Sequence, residues 1–171
     1  MPIGRPPGSR HSWSLAPRHK ALGSKEPAAS DASSSPLVLY NREEYGEAES
    51  VYRRALCERE KVLGPEHLQT LTIVQSLAIV LQAQNKLEEA KAVSRRALAG
   101  LESLLGLEHR DTLESMNCLA VTLDYLRESR EAEKLFRIVS TTRKETLGAE
   151  HPDTLKSVGN LELFLENDWM R

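Results

Sequence analysis

Three Glu-His pairs are the side chains of this chain best equipped for chemistry: Glu66-His67, Glu108-His109 and Glu150-His151. An imidazole beside a carboxylate can ligate a metal or move a proton. Each pair sits inside the same nine-residue phrase, LGPEHLQTL from Leu63, LGLEHRDTL from Leu105 and LGAEHPDTL from Leu147, and successive copies stand 42 residues apart. Zinc–nitrogen bonds are about 2.0–2.1 Å long. Copies of one position in a helical array are instead separated by two helices, packed at about 8–10 Å per contact. That spacing rules out a shared metal site. In the third phrase, Gly148 suits the left-handed residue just past a helix, Pro152 the first turn of the next one, and Asp153 the positive end of its dipole. The predicted role is capping and loop ordering, with no metal and no cofactor.

The remaining reactive groups are sparse. Cys57 and Cys118 are the only cysteines, too few for a disulfide framework or a four-ligand zinc site, which points to a reducing, cytoplasmic setting. The pairs Arg53-Arg54 and Arg95-Arg96 could meet phosphates, but Glu49, Glu58, Glu60 and Glu102 lie nearby along the same stretches, as on solvated helix faces. A phosphate-binding glycine loop, a serine elbow and a paired-carboxylate site are all missing from the sequence. The expectation is a protein that is not an enzyme, with no catalytic residues.

These residues must be carried by regular elements, and composition says which. The 171 residues carry a net charge of −2 and are 40% apolar, ample for a continuous core. Five Lys/Arg against two Asp/Glu fall in residues 1–40, and 18 against 23 in the remainder. An acidic body argues against nucleic acid, whose binding needs a basic stripe. The sequence has no apolar run of the roughly 20 residues that span a bilayer. Residues 1–36 hold six of the eight prolines and few branched aliphatic residues, so they are expected to form a disordered, basic Pro/Ser-rich leader.

From Leu37 onward the chain aligns with itself at the 42-residue offset, superposing Gly64, Gly106 and Gly148, and Ala48, Ala90 and Ala132. Such a period signals stacked supersecondary units. Each unit reads as two helices. The first carries Leu71, Val74, Leu77, Ala78 and Leu81, then Leu113, Met116, Leu119, Ala120 and Leu123, then Leu155, Val158, Leu161 and Leu165. The second carries Leu87, Ala90, Ala97, Leu98 and Leu101, copied as Ala132, Leu135, Phe136 and Val139. The fold class is all-α, with about five full helices and a partial one. The boundaries are a partial repeat at 37–63, repeats at 64–105 and 106–147, and a partial repeat at 148–171.

The order Leu77-Ala78, Leu81, Leu87, Ala90, Ser94, Ala97, repeated as Leu119-Ala120, Leu123, Ser129, Ala132, Phe136, Val139, resembles the tetratricopeptide (TPR) motif. With its 42-residue period and G-x-E-H-x-D-T-L linker it is similar to kinesin light chain-type repeats, including those of fungal TPR proteins. The resemblance covers residues 37–171 and implies a right-handed superhelix of antiparallel helix pairs, an α-solenoid. Ser94 and Ser129 replace larger residues, which predicts looser packing there. Glu162 stands where the motif wants a small residue, and facing water would spare it burial. Neither end shows a polar cap, so the isolated chain is expected to be marginally stable or to self-associate.

The resemblance further implies a concave groove lined by the first helix of each pair, and a protein-interaction scaffold that holds a peptide or partner helix there. Its predicted lining includes Gln75, Ile79 and Gln82, then Glu114, Asn117, Val121, Asp124 and Tyr125, then Lys156, Asn160 and Leu163. Half survives of the asparagine pair that kinesin light chains repeat before the leucine-alanine, as Asn117 and Asn160, whose amides can hold a peptide backbone. Glu114, Asp124 and Glu166 against Lys156 favour a neutral to basic peptide. The alternative readings are a homotypic assembly module and a fragment of a larger TPR-containing signalling protein.

Overall fold

The computed structural model describes residues 45–169 of the chain; the leader at 1–36 and the start of the first partial repeat lie outside the described residues. Six helices follow one another: α1 Tyr45–Leu63, α2 Leu68–Ala83, α3 Leu87–Leu105, α4 Arg110–Tyr125, α5 Ser129–Leu147 and α6 Pro152–Trp169. Each packs on the next, and α2 also touches α4. No strand occurs among the described residues. The arrangement is an all-helical repeat solenoid in which α2, α4 and α6 are first helices and α1, α3 and α5 second helices.

The repeated phrase does its structural work through backbone geometry. His67, His109 and His151 each precede a first helix, and each accepts a hydrogen bond at Nδ1 from the backbone N–H two residues on, at 3.2, 3.1 and 3.1 Å. An N-cap of this kind satisfies one of the orphan donors of the first turn. The preceding glycines have φ of 90°, 81° and 89°, as their place after a helix requires. Gly106 and Gly148 also have ψ of 170° and 161°, a region essentially confined to glycine rather than the left-handed helical one. Replacing His109 by Ala is expected to cost about 1 kcal/mol, whereas Asn or Ser at 109 stays near wild type; urea unfolding of the three variants measures this.

The short turn inside each repeat uses a different device. Lys86 N–H donates to the Leu81 carbonyl and Asn85 N–H to that of Gln82, both at 2.9 Å. The same two bonds recur 42 residues later from Glu128 to Leu123 and from Arg127 to Asp124. This is the Schellman closure. Asn85 and Arg127 take the left-handed position with φ of 62° and 65°.

The apolar stripes of α2 and α4 are buried as the periodicity predicts. Leu71, Val74, Leu77, Ala78 and Leu81 are at most 2% exposed, and their copies from Leu113 to Leu123 at most 3%. Ala48, Ala90 and Ala132 are sealed. A Cβ on Gly100 would stand 2.6 Å from Leu71 Cδ2, so α3 lies directly on α2 there. Ser94 is buried, with its Oγ 3.9 Å from Cys118 Sγ, two small groups facing each other where a larger side chain was expected.

Two expectations are corrected. Six full helices are present among the described residues, one more than the five expected, and the partial helix read at 37–40 lies outside them. Leu155 and Leu165, read as part of the core stripe of α6, are 54% and 37% exposed, while Phe164 is fully buried with Thr154, Ser157 and Asn160. Hydrophobic spacing finds the stripe that a following helix would cover, and no described helix covers that side of α6. Glu162 is exposed.

The arginine pairs differ as well. Arg53 binds Glu49 on its own helix at 2.8 Å and also reaches Glu89 of α3. One repeat on, Arg95 reaches Glu131 of α5 at 2.7 Å. Arg96 pairs with Glu60 of α1, so the partners lie mainly across repeats rather than four residues away. Lys86, with help from Arg53 and Gln84 and against the effect of burial, holds the Glu49 carboxyl down at about 2 instead of 4.5. Because its folded value lies below the unfolded one, this group stabilises the fold above about pH 4.5 and loses that contribution as pH falls towards 2. A Glu49→Gln variant is therefore expected to melt below wild type at pH 7 and together with it near pH 2, as followed by circular dichroism.

Candidate functional site

The residues expected to line a groove all lie on the first helices, α2, α4 and α6. Gln75, Ile79 and Gln82 of α2 are half-buried, as are Glu114 and Tyr125 of α4 and Lys156 and Leu163 of α6. Asn117, Asp124 and Asn160 are 7%, 4% and 4% exposed, and Val121 is sealed. Val121 belongs to the apolar cluster of Phe136 and Phe164, so its side chain supports the face from behind. Helix α4 is buried on most of its circumference because α3 and α5 pack on it and α2 adjoins it. That enclosure explains why groove positions implied by the family resemblance lose much of their surface.

Two of the predicted residues meet. The Asn160 amide N–H donates to Asn117 Oδ1 at 3.2 Å, joining α6 to α4 across 43 residues. Asn160 Oδ1 is buried and accepts nothing, an arrangement that costs about 1–3 kcal/mol unless a donor supplies the bond. Asn160 borders an open hollow of about 440 Å³ with Pro152, Leu155, Lys156, Gly159 and Leu163. The hollow is thus mainly apolar, with Lys156 and Asn160 on its border and the unpaired Asn160 oxygen buried next to it. Burial, with the Asp124 charge as the smaller contribution, raises the Tyr125 phenol above its ordinary value, so it stays a neutral hydrogen-bonding group.

A second hollow of about 210 Å³ lies at the linker edge, bounded by Glu108, Arg110, Arg143 and Asp153 among others. Arg143 is 5% exposed. It donates to the Asp153 carbonyl at 3.2 Å and stands 3.5 Å from Glu114 Oε2, while Arg110 stands 3.5 Å from the Asp153 carboxylate. Burial lowers the Arg143 pKa and Glu114 acts in the opposite direction. These groups neutralise one another and tie α4, α5 and α6 together. The sequence reading missed Arg143; the signal was its place, 42 residues after Leu101, where a core residue is expected.

Among the described residues no group of three His, Cys, Asp or Glu side chains could hold a metal, and no helix is long and apolar enough to cross a membrane. Burial pushes the Cys118 thiol up to about 12, so it carries no thiolate. Cys57 is exposed.

Paired helices, a glycine-histidine linker and small residues at the crossings recur at one period, and two family models described as tetratricopeptide repeat match residues 37–103 and 112–153. The chain belongs to the tetratricopeptide repeat family. Among solved structures, it is similar to a kinesin light chain protein of Podosopora anserina with nearly identical TPR-like repeats, at 26% identity and a TM-score of 0.72. A single-substitution variant of that protein matches at 25% identity and a TM-score of 0.71. Each match covers 75% of this chain and 61% of the other, so this TPR chain spans about three fifths of their length. The BtubC (BKLC) structure from P. vanneervenii shares the fold at 20% identity and a TM-score of 0.68, over 78% of this chain and 52% of that one. No curated protein matches. TPR arrays are in general protein-interaction scaffolds, and this chain has that scaffold.

Proposed function

We propose that the chain is a non-catalytic cytoplasmic scaffold that holds an extended peptide or partner helix along α2, α4 and α6. The reading rests chiefly on the Asn117–Asn160 bond, which leaves a buried, unused Asn160 carbonyl beside the α6 hollow. A peptide N–H would complete that acceptor, and the Leu155 and Leu163 walls would take an apolar side chain. Glu114 and Asp124 on the same face, against Lys156, favour a neutral to basic peptide.

The test is selection of random peptides on the full-length chain, followed by amide chemical-shift mapping with the best binder. Expected are peptides of neutral to basic charge carrying apolar anchors, with shifts concentrated at Lys156, Asn160 and Leu163. Affinity is expected to fall about tenfold in Asn160→Ala, the effect of losing one hydrogen bond worth about 1.4 kcal/mol. Enrichment of acidic peptides, or shifts confined to α1, α3 and α5, would refute the reading.

A further inference from the structure

Most of the exposed apolar surface lies along one edge of the array. Of the seven large apolar side chains exposed among the described residues, two are Leu155 and Leu165 of α6. The other five, Val62, Leu68, Leu104, Leu107 and Leu147, belong to the linkers and the helix ends that flank them. They are between 38% and 78% exposed. Val62 and Leu104 hold the same position one repeat apart. Water-facing apolar side chains are ordinary when scattered. Here they gather on the edge where α1, α3 and α5 end and α2, α4 and α6 begin.

The same edge is acidic. Residues 60–67, 102–109 and 144–151 hold Glu60, Glu66, Glu102, Glu108, Glu145 and Glu150 against Lys61 and Lys144. Glu60 is engaged by Arg96, whereas the other five glutamates are exposed. Copies of one position are two helices apart, at about 8–10 Å per contact, which sets Val62 and Leu104 about 16–20 Å apart. An occupant of this edge needs apolar anchors at that separation with positive charge between them.

The chain itself carries such a segment. Residues 1–25, outside the described residues, hold five Lys/Arg and no Asp/Glu. Their two leucines, Leu15 and Leu22, bracket Pro17, Arg18 and Lys20. Seven steps of extended, proline-containing chain at about 3.1 Å each cover about 22 Å, enough to set one leucine beside Val62 and the other beside Leu104. Arg18 and Lys20 then fall among Glu66, Glu102 and Glu108. The tether is long enough: Val62 lies about 26 Å along α1 from Tyr45, and the chain from Leu22 to Tyr45 can extend to about 75 Å.

We propose that residues 15–22 dock in cis on the linker edge, with Leu15 and Leu22 at the Val62 and Leu104 positions and Arg18 and Lys20 against the glutamates between them. Tethering gives the segment an effective concentration of roughly millimolar, which favours its own chain over a second copy. The contact covers apolar surface and neutralises part of the charge of the edge, and any basic partner of that edge must displace it. The linker edge is separate from the groove, and its occupancy does not depend on the groove reading.

The probe is a labelled synthetic peptide of residues 9–25, titrated by fluorescence anisotropy into forms of the full-length protein. In Leu15→Ser, Leu22→Ser the tethered segment has lost its anchors, so one-to-one binding at least tenfold tighter than to wild type is expected. Adding Glu66→Lys, Glu102→Lys and Glu108→Lys to that form is expected to abolish binding. These glutamates are exposed, and circular dichroism is expected to show all forms equally helical. Amide shifts induced by the peptide are expected around Val62, Glu66, Leu104 and Leu107. Equal affinity for wild type and the leucine variant, binding that survives the charge reversals, shifts confined to α4 and α6, or no binding at all overturns the proposal. So does a concentration-dependent dimer of the wild type that Leu15→Ser, Leu22→Ser abolishes, since the segment would then dock on a second copy.

Discussion

Phe136→Ala is expected to lower the unfolding free energy by about 3–5 kcal/mol, the range for deleting a sealed aromatic from a core that relaxes only in part. Phe136 and Phe164 are both buried, with ring centroids 5.4 Å apart and planes at 42°. They pack α5 against α6 within one apolar cluster. In a repeat array each unit touches only its neighbours, so the loss acts locally. Helix α6 has α5 on one side and no described helix on the other, and it is expected to fray first. Hydrogen exchange of α6 amides tests this: protection lost there and kept in α2 and α4 is the predicted pattern. Uniform loss along the array would mean that it unfolds as one unit.

Arg143→Ala is expected to cost about 2–3 kcal/mol, below the roughly 3–5 of a fully buried pair, because the Glu114 side chain keeps a third of its surface in water. The substitution removes the guanidinium's bond to the Asp153 carbonyl and leaves Glu114 without its counter-charge inside the array. The apolar route at this position is visible one repeat earlier, where Leu101 is fully buried. The double variant Arg143→Leu, Glu114→Thr copies the earlier pair, Leu101 and Thr72. It is expected to recover most of the loss, because replacing both partners removes the uncompensated charge. Denaturant titrations of the single and double variants measure the difference; a double variant no better than Arg143→Ala would show that the guanidinium packing cannot be replaced.

Groups such as Arg143 separate what the sequence determined from what the tertiary structure decided. The 42-residue period, the two helices per unit and the stripes of α2 and α4 follow from the sequence alone, because each is set by spacing along one helix and by local backbone rules. The linker belongs to the same class: its glycine needs a positive φ and its histidine caps the helix that follows, over a few residues. Even there, the ψ of Gly106 and the Nδ1 acceptor of His109 come from the folded backbone.

The tertiary structure decided every question about which side of a helix meets what. The family resemblance implies groove positions for Val121 and Asp124, but neighbours on several sides enclose them. Leu155 and Leu165 carry the right spacing for a core, yet burial depends on a covering helix. The bond between Asn117 and Asn160, the cross-repeat partners of Arg53, Arg95 and Arg96, and the closure of Arg143 over Asp153 all join residues on different helices. A one-dimensional pattern records how a helix is divided into faces. Only packing distances and the order of neighbours determine which face is filled, which charge finds a partner, and which acceptor is left without a donor.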